Sequence, residues 1–332
     1  MGFILCALLF IVIILVVFKL YMKLTVKWNG SYVCLVGKTA IVTGSNTGLG
    51  YPTALDFAKR GARVILACRN KEKAEKAVRK IIAETGNENV VFKQLDCASL
   101  QSVRNFAKDI NANEDRLDIL VNNAGILNTN EGMSSDGIHM VLQVNHVAGF
   151  LLTHLLIDKL KKSAPSRIVV VASDMAKSAT LNLKTLSEMN TLGPAKTFMG
   201  MYSNSKLCNM LFTTELAKRL DGTGVIINVA HPGATHTDVL NNTTNASQWM
   251  KNFYNVGTSI FFKTPEEGAQ AQIYSAVANE VANMSGEYFI NCKRVDIYEN
   301  AKDPELARKV WEITEVLAKL DASEKIPNVL LQ

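Results

Sequence analysis

The sequence predicts an α/β protein with a doubly wound, mostly parallel seven-stranded sheet flanked by helices. Two observations predict this class: apolar runs with strand character recur along the chain, and segments with helical spacing separate them. Buried parallel strands are typically continuous, β-branched runs of this kind. The runs are KTAIVT (38–43), RVILA (63–67), VVFKQL (90–95), LDILV (117–121), RIVVVA (167–172) and VIINVA (225–230).

The segments between the runs place apolar residues on one face of a helix. Between the second and third runs they recur at i, i+3, i+4, i+7 and i+8, opposite a charged face. A final helix is predicted to begin at Asp303 and Pro304, because Asp is a favoured N-cap and Pro suits the first helical position. The apolar stripe between the second and third runs consists of Ala74, Ala77, Val78, Ile81 and Ile82.

The N-terminus predicts a membrane anchor. Residues 2–18 carry no charge, and a helix of that length, at about 1.5 Å per residue, comes close to spanning the roughly 30 Å hydrocarbon core of a bilayer. No basic segment precedes the run and no small-x-small site follows it, so a cleaved signal peptide is the weaker alternative. Lys19, Lys23 and Lys27 follow the run, and the positive-inside rule then places the rest of the chain in the cytosol.

These features divide the chain into four parts. We expect a membrane anchor over residues 1–24, a linker over 25–35, the main domain over 36–300, and a C-terminal helix and tail over 301–332. The C-terminal helix is expected to pack on the domain, with a place on the membrane or beside the substrate mouth as alternatives. The endoplasmic reticulum is the expected membrane, and mitochondrial and lipid-droplet membranes are the alternatives.

Charge and composition exclude several classes of protein. The 332 residues include 36 Lys and Arg against 30 Asp and Glu. Three of the lysines lie in the first 27 residues, so the excess in the remainder is too small to favour nucleic-acid binding. The six cysteines show no CxxC spacing and the five histidines no metal-ligand spacing, so neither a disulfide framework nor a metal site is predicted.

A glycine-rich segment joins the first strand to the first helix. Glycines at this place allow a tight turn and a close approach of the backbone to a pyrophosphate, which then lies at the helix N-terminus. A simple turn does not require three glycines at this spacing. The position of the motif between a predicted strand and a predicted helix strengthens its interpretation as a dinucleotide site. The candidate cradle is Gly44, Ser45, Asn46, Thr47, Gly48, Leu49 and Gly50.

The end of the second strand predicts which dinucleotide binds. An NAD site presents Asp or Glu about 20 residues after the glycines, whereas this chain has Arg69 and Asn70 there. A guanidinium can pair with a 2′-phosphate that a carboxylate would repel, so NADP(H) is favoured. The ends of the third and fourth strands add further candidate contacts, with ordinary turns as the alternative. These are Asp96, Cys97, Asn123, Ala124 and Gly125.

Four residues form a candidate catalytic set. Tyr202 and Lys206 are at i and i+4, on one face of a helix, where an ammonium would lower the pKa of the phenol towards working pH. Ser173 follows the fifth strand and can donate to a substrate oxygen, while Asn145 could order a relay water. A second YxxxK, at 298–302, has no Ser at a comparable distance upstream and is interpreted as a coincidence.

Taken together, the motifs resemble the short-chain dehydrogenase/reductase superfamily, whose domain is a Rossmann fold. The glycine segment, NNAG at 122–125, YSNSK at 202–206 and PGATHT at 232–237 occur in its order and spacing, together with Asn145 and Ser173. The resemblance covers residues 36–300. Three further motifs are similar to the membrane-anchored, NADP-dependent retinol dehydrogenase 11 to 14 group. They are ACRN at 67–70, QVNHVAGF at 143–150 and HPGATHTD at 231–238.

The resemblance implies roles for individual residues. Tyr202 would be the catalytic acid or base with Ser173 and Asn145 as partners, and Lys206 would hold the nicotinamide ribose. A homodimer is also possible by this resemblance. Two departures, Pro52 and Ala172, remove no functional atom. The segment that would contact the nicotinamide carboxamide contains Pro232, Gly233, Thr235 and Thr237.

The substrate is expected to be lipophilic. Apolar and thioether residues follow both Ser173 and Thr237, and they would form an adaptable pocket over the nicotinamide; ordinary packing of a helical lid is the alternative. We expect a membrane-bound NADP(H)-dependent oxidoreductase for retinaldehyde and retinol, with reduction favoured. The alternatives are a reductase of sterols, lipid aldehydes or xenobiotic carbonyls, and a non-catalytic nucleotide-binding scaffold at a membrane or lipid droplet.

Overall fold

A computed structural model of the protein describes residues 2–127, 132–181, 198–235 and 262–327. The strands are β1 (Thr39–Thr43), β2 (Arg63–Cys68), β3 (Val90–Gln94), β4 (Ile119–Asn122), β5 (Ser166–Val171), β6 (Val225–His231), β7 (Tyr288–Ile290) and β8 (Lys293–Val295). The helices are α1 (Gly2–Thr25), α2 (Gly50–Lys59), α3 (Lys71–Thr85), α4 (Leu100–Asn113), α5 (Met140–Lys162), α6 (Phe198–Arg219), α7 (Pro265–Val277) and α8 (Pro304–Leu317).

All eight strands belong to one sheet, in the order β3-β2-β1-β4-β5-β6-β7-β8. The first seven strands in this order are parallel to one another, and β8 is antiparallel to β7. The predicted doubly wound, mostly parallel sheet is thereby confirmed, with one strand more than the seven expected. The additional strand, β8, has three residues, two of them exposed and basic, so it has no apolar run that a sequence pattern could reveal.

The strand order determines where a ligand can bind. β1 pairs with β2 on one side and β4 on the other. Successive strands are therefore added to one side of β1 up to β3 and to its other side from β4 onward. Ligands of open α/β sheets bind at the carboxyl ends of the strands, beside such a switch point. The glycine segment after β1, the NNAG turn at the end of β4 and Ser173 after β5 all lie at this edge.

Two helical layers cover the sheet. The core on one face consists mainly of residues from α4, α5, α6 and α8, and the core on the other face of residues from α2, α3 and α7. α8 begins as predicted, because Asp303 accepts hydrogen bonds from the backbone N–H groups of Glu305 and Leu306. Trp311 of this helix is buried, which confirms that the C-terminal helix packs on the domain.

The N-terminal segment forms the helix α1. Several large apolar side chains of α1, among them Phe10 and Val16, are more than half exposed. Among the described residues, the helix long and apolar enough to cross a membrane is α5, and it is mostly buried in the core. Membrane insertion of α1 therefore stays a prediction.

Candidate active site

The glycine segment forms a turn that leaves no room for a side chain at Gly50 and little at Gly44. Gly44 has a φ of +65°, a conformation that glycine adopts without steric cost. A Cβ on Gly50 would lie 2.6 Å from the carbonyl oxygen of Gly44 and 2.7 Å from Nδ2 of Asn123. Asn123 donates from this Nδ2 to the carbonyl oxygen of Thr43 at 2.8 Å and so fixes the turn. The residues present therefore fit a nucleotide diphosphate that approaches the backbone at the start of α2.

The other residues of the predicted cradle differ in their surroundings. Ser45 is fully buried and donates to the carbonyl oxygen of Val42 at 2.8 Å, so its side chain stabilises the turn. The carbonyl oxygen of Leu49 accepts from Thr53 at 2.8 Å. Asn46 is half-buried and Thr47 is exposed, which leaves these two side chains at the surface of the turn.

At the end of β2, Arg69 and Asn70 have different roles. Asn70 is the N-cap of α3, because its Oδ1 accepts from the backbone N–H of Lys73 at 2.8 Å. Arg69 is exposed, and within the part of the chain that the structure describes no hydrogen bond or ion pair engages its guanidinium. The sequence predicts that both residues contact the cofactor, and the structure shows that Oδ1 of Asn70 already accepts a hydrogen bond from the backbone of α3.

The residues after β3 lie beside the same edge. Oδ1 of Asp96 accepts from the backbone N–H of Ala98 at 2.9 Å. Cys97 lines a narrow cavity together with Thr43 and Asn145, and burial raises the pKa of its thiol to about 12. The Cys97 thiol is therefore neutral and not a reactive thiolate.

Asn145 lies in a short π-helical turn, Gln143–Val147, within α5. Such turns inside α-helices occur frequently at functional sites. Its side chain accepts from the backbone N–H of Ile126 at 2.7 Å and donates to the carbonyl oxygen of Ile126 at 2.9 Å. It also donates to Oγ of Ser205 at 3.0 Å. Asn145 therefore links the chain after the NNAG turn to the helix that carries Tyr202, and sequence analysis did not identify Ser205 as part of this link.

Ser173, Tyr202 and Lys206 are brought together as the sequence predicted. Ser173 is hydrogen-bonded to the Tyr202 phenol. Nζ of Lys206 lies 5.6 Å from the centre of the Tyr202 ring and donates to the carbonyl oxygen of Val171 at 3.0 Å. A Cβ on Gly125 would lie 3.5 Å from both this Nζ and Oδ1 of Asn145. The NNAG turn and the predicted catalytic residues therefore share one small volume at the carboxyl edge.

The pKa shifts differ from the sequence expectation. Burial raises the pKa of Tyr202 above its ordinary value, although the hydrogen bond from Ser173 opposes the shift. Burial also lowers the pKa of Lys206 to about 8. The expectation that the pKa of the phenol lies below its ordinary value is therefore wrong here, because removal from water disfavours the phenolate. At neutral pH Tyr202 is protonated and can act as an acid.

The segment after β6 lies at the same edge. Gly233 has a φ of +80°, and a Cβ there would lie 3.0 Å from Nζ of Lys263. Oγ1 of Thr235 donates to the carbonyl oxygens of Pro232 and Gly233, which closes a tight loop next to the catalytic edge. Thr237, the last residue of the predicted carboxamide contact, lies outside the described residues.

The second YxxxK forms no catalytic pair. Nζ of Lys302 lies 2.6 Å from Oε1 of Glu299 at the surface. The Tyr298 hydroxyl instead bonds to Asp174, whose pKa is lowered to about 2 mainly by its hydrogen bond from His231. This geometry supports the interpretation of the motif as a coincidence.

Comparison with known proteins identifies the family. Residues 38–185 match the family model for the short chain dehydrogenase. The chain is 43% identical over 297 residues to retinol dehydrogenase 14 of Homo sapiens, which covers 86% of this chain and 87% of the relative. The chain belongs to the short-chain dehydrogenase/reductase family.

Two further proteins agree with this assignment. Retinol dehydrogenase 11 of Mus musculus is 42% identical over 94% of this chain and 96% of its own. The crystal structure of an uncharacterized protein from Mycobacterium paratuberculosis has a TM-score of 0.69 at 28% identity, and the match covers 91% of this chain and 99% of that one. As a member of the short-chain dehydrogenase/reductase family, the chain is an oxidoreductase whose fold binds a nicotinamide cofactor.

Proposed function

We propose that this short-chain dehydrogenase/reductase transfers a hydride between NADP(H) and a hydrophobic carbonyl or alcohol, with retinaldehyde and retinol as the substrate pair and reduction favoured. The observation that carries the proposal is that Ser173 is hydrogen-bonded to the Tyr202 phenol while the buried Lys206 lies 5.6 Å from the Tyr202 ring. A non-catalytic scaffold is not favoured, because burying an ammonium costs free energy and a protein that only holds a nucleotide has no need of a phenol hydrogen-bonded to Ser173 beside it.

The chemistry of reduction follows from these side chains. When bound, NADPH supplies the hydride that adds to the carbonyl carbon. Ser173 donates a hydrogen bond to the carbonyl oxygen and polarises it, and the protonated Tyr202 gives its proton to the same oxygen as negative charge develops. The charged Lys206 stabilises the resulting phenolate. Proton transfer through the Asn145 turn would return a proton from water to Tyr202.

The lipophilic substrate is supported by the apolar side chains beside the site. Met201 is buried and Met199 is partly exposed at the start of α6, and Phe262 is partly exposed beside the loop after β6. Flexible thioethers and aromatic rings suit long apolar molecules. The names of the relatives, retinol dehydrogenases, favour a retinoid among such molecules. Phe198, also assigned to this pocket, is the first residue of α6, and the other assigned residues lie outside the described ranges.

The experiment that tests this function is turnover of a substrate panel by the detergent-purified full chain. With NADPH we expect faster reduction of all-trans-retinaldehyde than of sterol ketones, long-chain aldehydes and xenobiotic carbonyls. Preference for another class on this panel would replace the retinoid assignment with that class. Tight NADPH binding without turnover of any carbonyl would favour the non-catalytic scaffold.

The choice of NADP(H) depends on Arg69. The Arg69→Asp variant loses a charge-assisted hydrogen bond to the 2′-phosphate and gains like-charge repulsion, so the ratio of kcat/KM for NADPH to that for NADH should fall by on the order of 10²-fold. Initial rates with each cofactor measure this ratio. Arg79→Asp, which changes the same charge on an exposed side chain of α3, is the matched control. Equal ratios in the wild type and the Arg69→Asp variant would contradict the assignment.

Attachment to a membrane through α1, with the catalytic domain in the cytosol, is also part of the proposal. The linker is fixed to the domain: Arg60 donates to the carbonyl oxygens of Ser31 and Val33 at 2.7 and 3.1 Å. The backbone N–H of Asn29 donates to Gln270 at 2.9 Å. Sγ of Cys292, after β7, lies 3.6 Å from the carbonyl oxygen of Lys27. Because β7 is parallel to β6, α1 leaves the domain at the edge that holds the active site, which suits a substrate dissolved in lipid.

A further inference from the structure

A chain of buried polar groups connects Asn145 to the C-terminal helix. The backbone carbonyl of Asn145 accepts from Nδ2 of Asn209 at 2.9 Å. Oδ1 of Asn209 lies 3.0 Å from Nδ1 of His146, and Nε2 of His146 lies 3.0 Å from Oγ1 of Thr314 on α8. All four side chains are buried, with exposed fractions of 5% or less. This series of hydrogen bonds runs from the Asn145 turn to Asn209 on α6, returns to His146 on α5, and ends at Thr314 on α8. Thr314 is 168 residues after His146 in the sequence.

The hydrogen bonds in this chain determine the proton positions. Because Asn209 donates through Nδ2, its Oδ1 is an acceptor and Nδ1 of His146 carries the proton. Burial lowers the pKa of His146 to about 4, so the ring is neutral and its Nε2 is an acceptor. The Thr314 hydroxyl is then the donor that Nε2 faces at 3.0 Å. It shares its hydrogen between Nε2 and the carbonyl oxygen of Val310, to which it also donates at 2.6 Å.

Aromatic packing fixes α8 against α5 and α6. The ring of Trp311 lies 5.1 Å from that of Phe150 and 5.9 Å from that of Phe212. The guanidinium carbon of Arg219 lies 4.1 Å from the centre of the Trp311 ring. Thr314, one turn beyond Trp311, is therefore held at a fixed distance from His146.

We propose that α8 positions the catalytic Asn145 through Thr314, His146 and Asn209. The π-helical turn that contains Asn145 departs from α-helical hydrogen bonding. Of the Thr314, His146 and Asn209 side chains, only that of Asn209 donates to the backbone carbonyl of Asn145. A fully paired buried network is rigid, whereas one unpaired member destabilises its neighbours. Loss of the Thr314 donor leaves Nε2 of His146 buried without a partner, which favours the other tautomer and turns the Asn209 amide away from Asn145.

The inference rests on the proposed function, and its test includes a readout that does not. Thr314→Val removes the hydroxyl at nearly constant volume and should lower kcat about tenfold while KM for NADPH and for the aldehyde stays within about twofold. Thr314→Ser keeps the donor and should restore kcat. The matched control is Thr213→Val on α6, because Thr213 is also fully buried and donates to a backbone carbonyl of its own helix, that of Asn209, whereas only Thr314 bonds in addition to the His146 side chain. Equal kcat values for the two valine variants would overturn the proposal.

The second readout is hydrogen exchange of the Gln143–Val147 amides. Exchange should be faster in Thr314→Val than in Thr213→Val, and this holds even if the wild type reduces none of the carbonyls tested, so failure of the proposed function and failure of this inference are distinguishable. His146→Asn, which retains a donor near Nδ1 but loses Nε2, should lower kcat as Thr314→Val does, with no further loss in the double variant. Additive losses, or unchanged exchange at the turn, would contradict a common pathway.

Discussion

Replacement of Tyr202 by phenylalanine is expected to lower kcat for aldehyde reduction by on the order of 10³-fold. The substitution removes the proton donor and keeps the ring that packs beside Lys206, so NADPH binding should change less than about twofold. Burial raises the pKa of the phenol, which keeps the proton in place at neutral pH. Steady-state rates with saturating NADPH, together with a fluorescence titration of NADPH, measure both quantities.

Tyr298→Phe is the matched control for this prediction. It changes the tyrosine of the second YxxxK, whose lysine, Lys302, is paired with Glu299 at the surface. We expect kcat within about threefold of the wild type. A Tyr202→Phe variant with near wild-type turnover would contradict the assigned role of the phenol, and a larger loss in Tyr298→Phe than in Tyr202→Phe would assign it to the other motif.

The second large effect is expected at Lys206. Its pKa of about 8 lies below the ordinary 10.5 because the ammonium is buried, so the charge is present below this pH and lost above it. Since the charged form stabilises the Tyr202 phenolate, kcat/KM for reduction should be constant below pH 8 and fall above it. Lys206→Met should lower kcat by on the order of 10²-fold and abolish this decrease, which a pH series of initial rates measures.

Lys302→Met provides the comparison for the pH series. It removes an exposed lysine from the second YxxxK and should leave both the rate and the pH profile unchanged. A wild-type profile that rises between pH 7 and 9 would show that reduction does not depend on the Lys206 charge, and a decrease that persists in Lys206→Met would assign the titration to another group.

Much of the fold was predictable because its signals are local. Each of the six apolar runs corresponds to a strand of the sheet, since buried parallel strands have no polar alternation to confuse the pattern. The Asp303 cap of α8 was predictable for the same reason. The short strands β7 and β8 and the π turn of Asn145 were not, because they depend on pairing and contacts with residues distant in the sequence.

For the site, the sequence predicted which residues meet but not their electrostatics. Ser173, Tyr202 and Lys206 were predictable from strand ends and helical spacing. The pKa of Tyr202 was not, because its direction depends on how fully the phenol is removed from water. The N-cap role of Asn70 has a sequence signal, a capping residue directly before a helical pattern, which the assignment to the cofactor site obscured.

The central claim is that hydride passes from NADPH to a carbonyl that Ser173 and Tyr202 hold. The most direct measurement is incubation of the purified full chain with retinaldehyde and NADPH deuterated at C4, with each C4 epimer in turn, followed by mass spectrometry of the alcohol. One epimer should give retinol that carries one deuterium, at a rate on the order of 10³-fold above that of Tyr202→Phe. Retinol without deuterium from both epimers, or no retinol above the Tyr202→Phe level in protein that binds NADPH, would contradict the account.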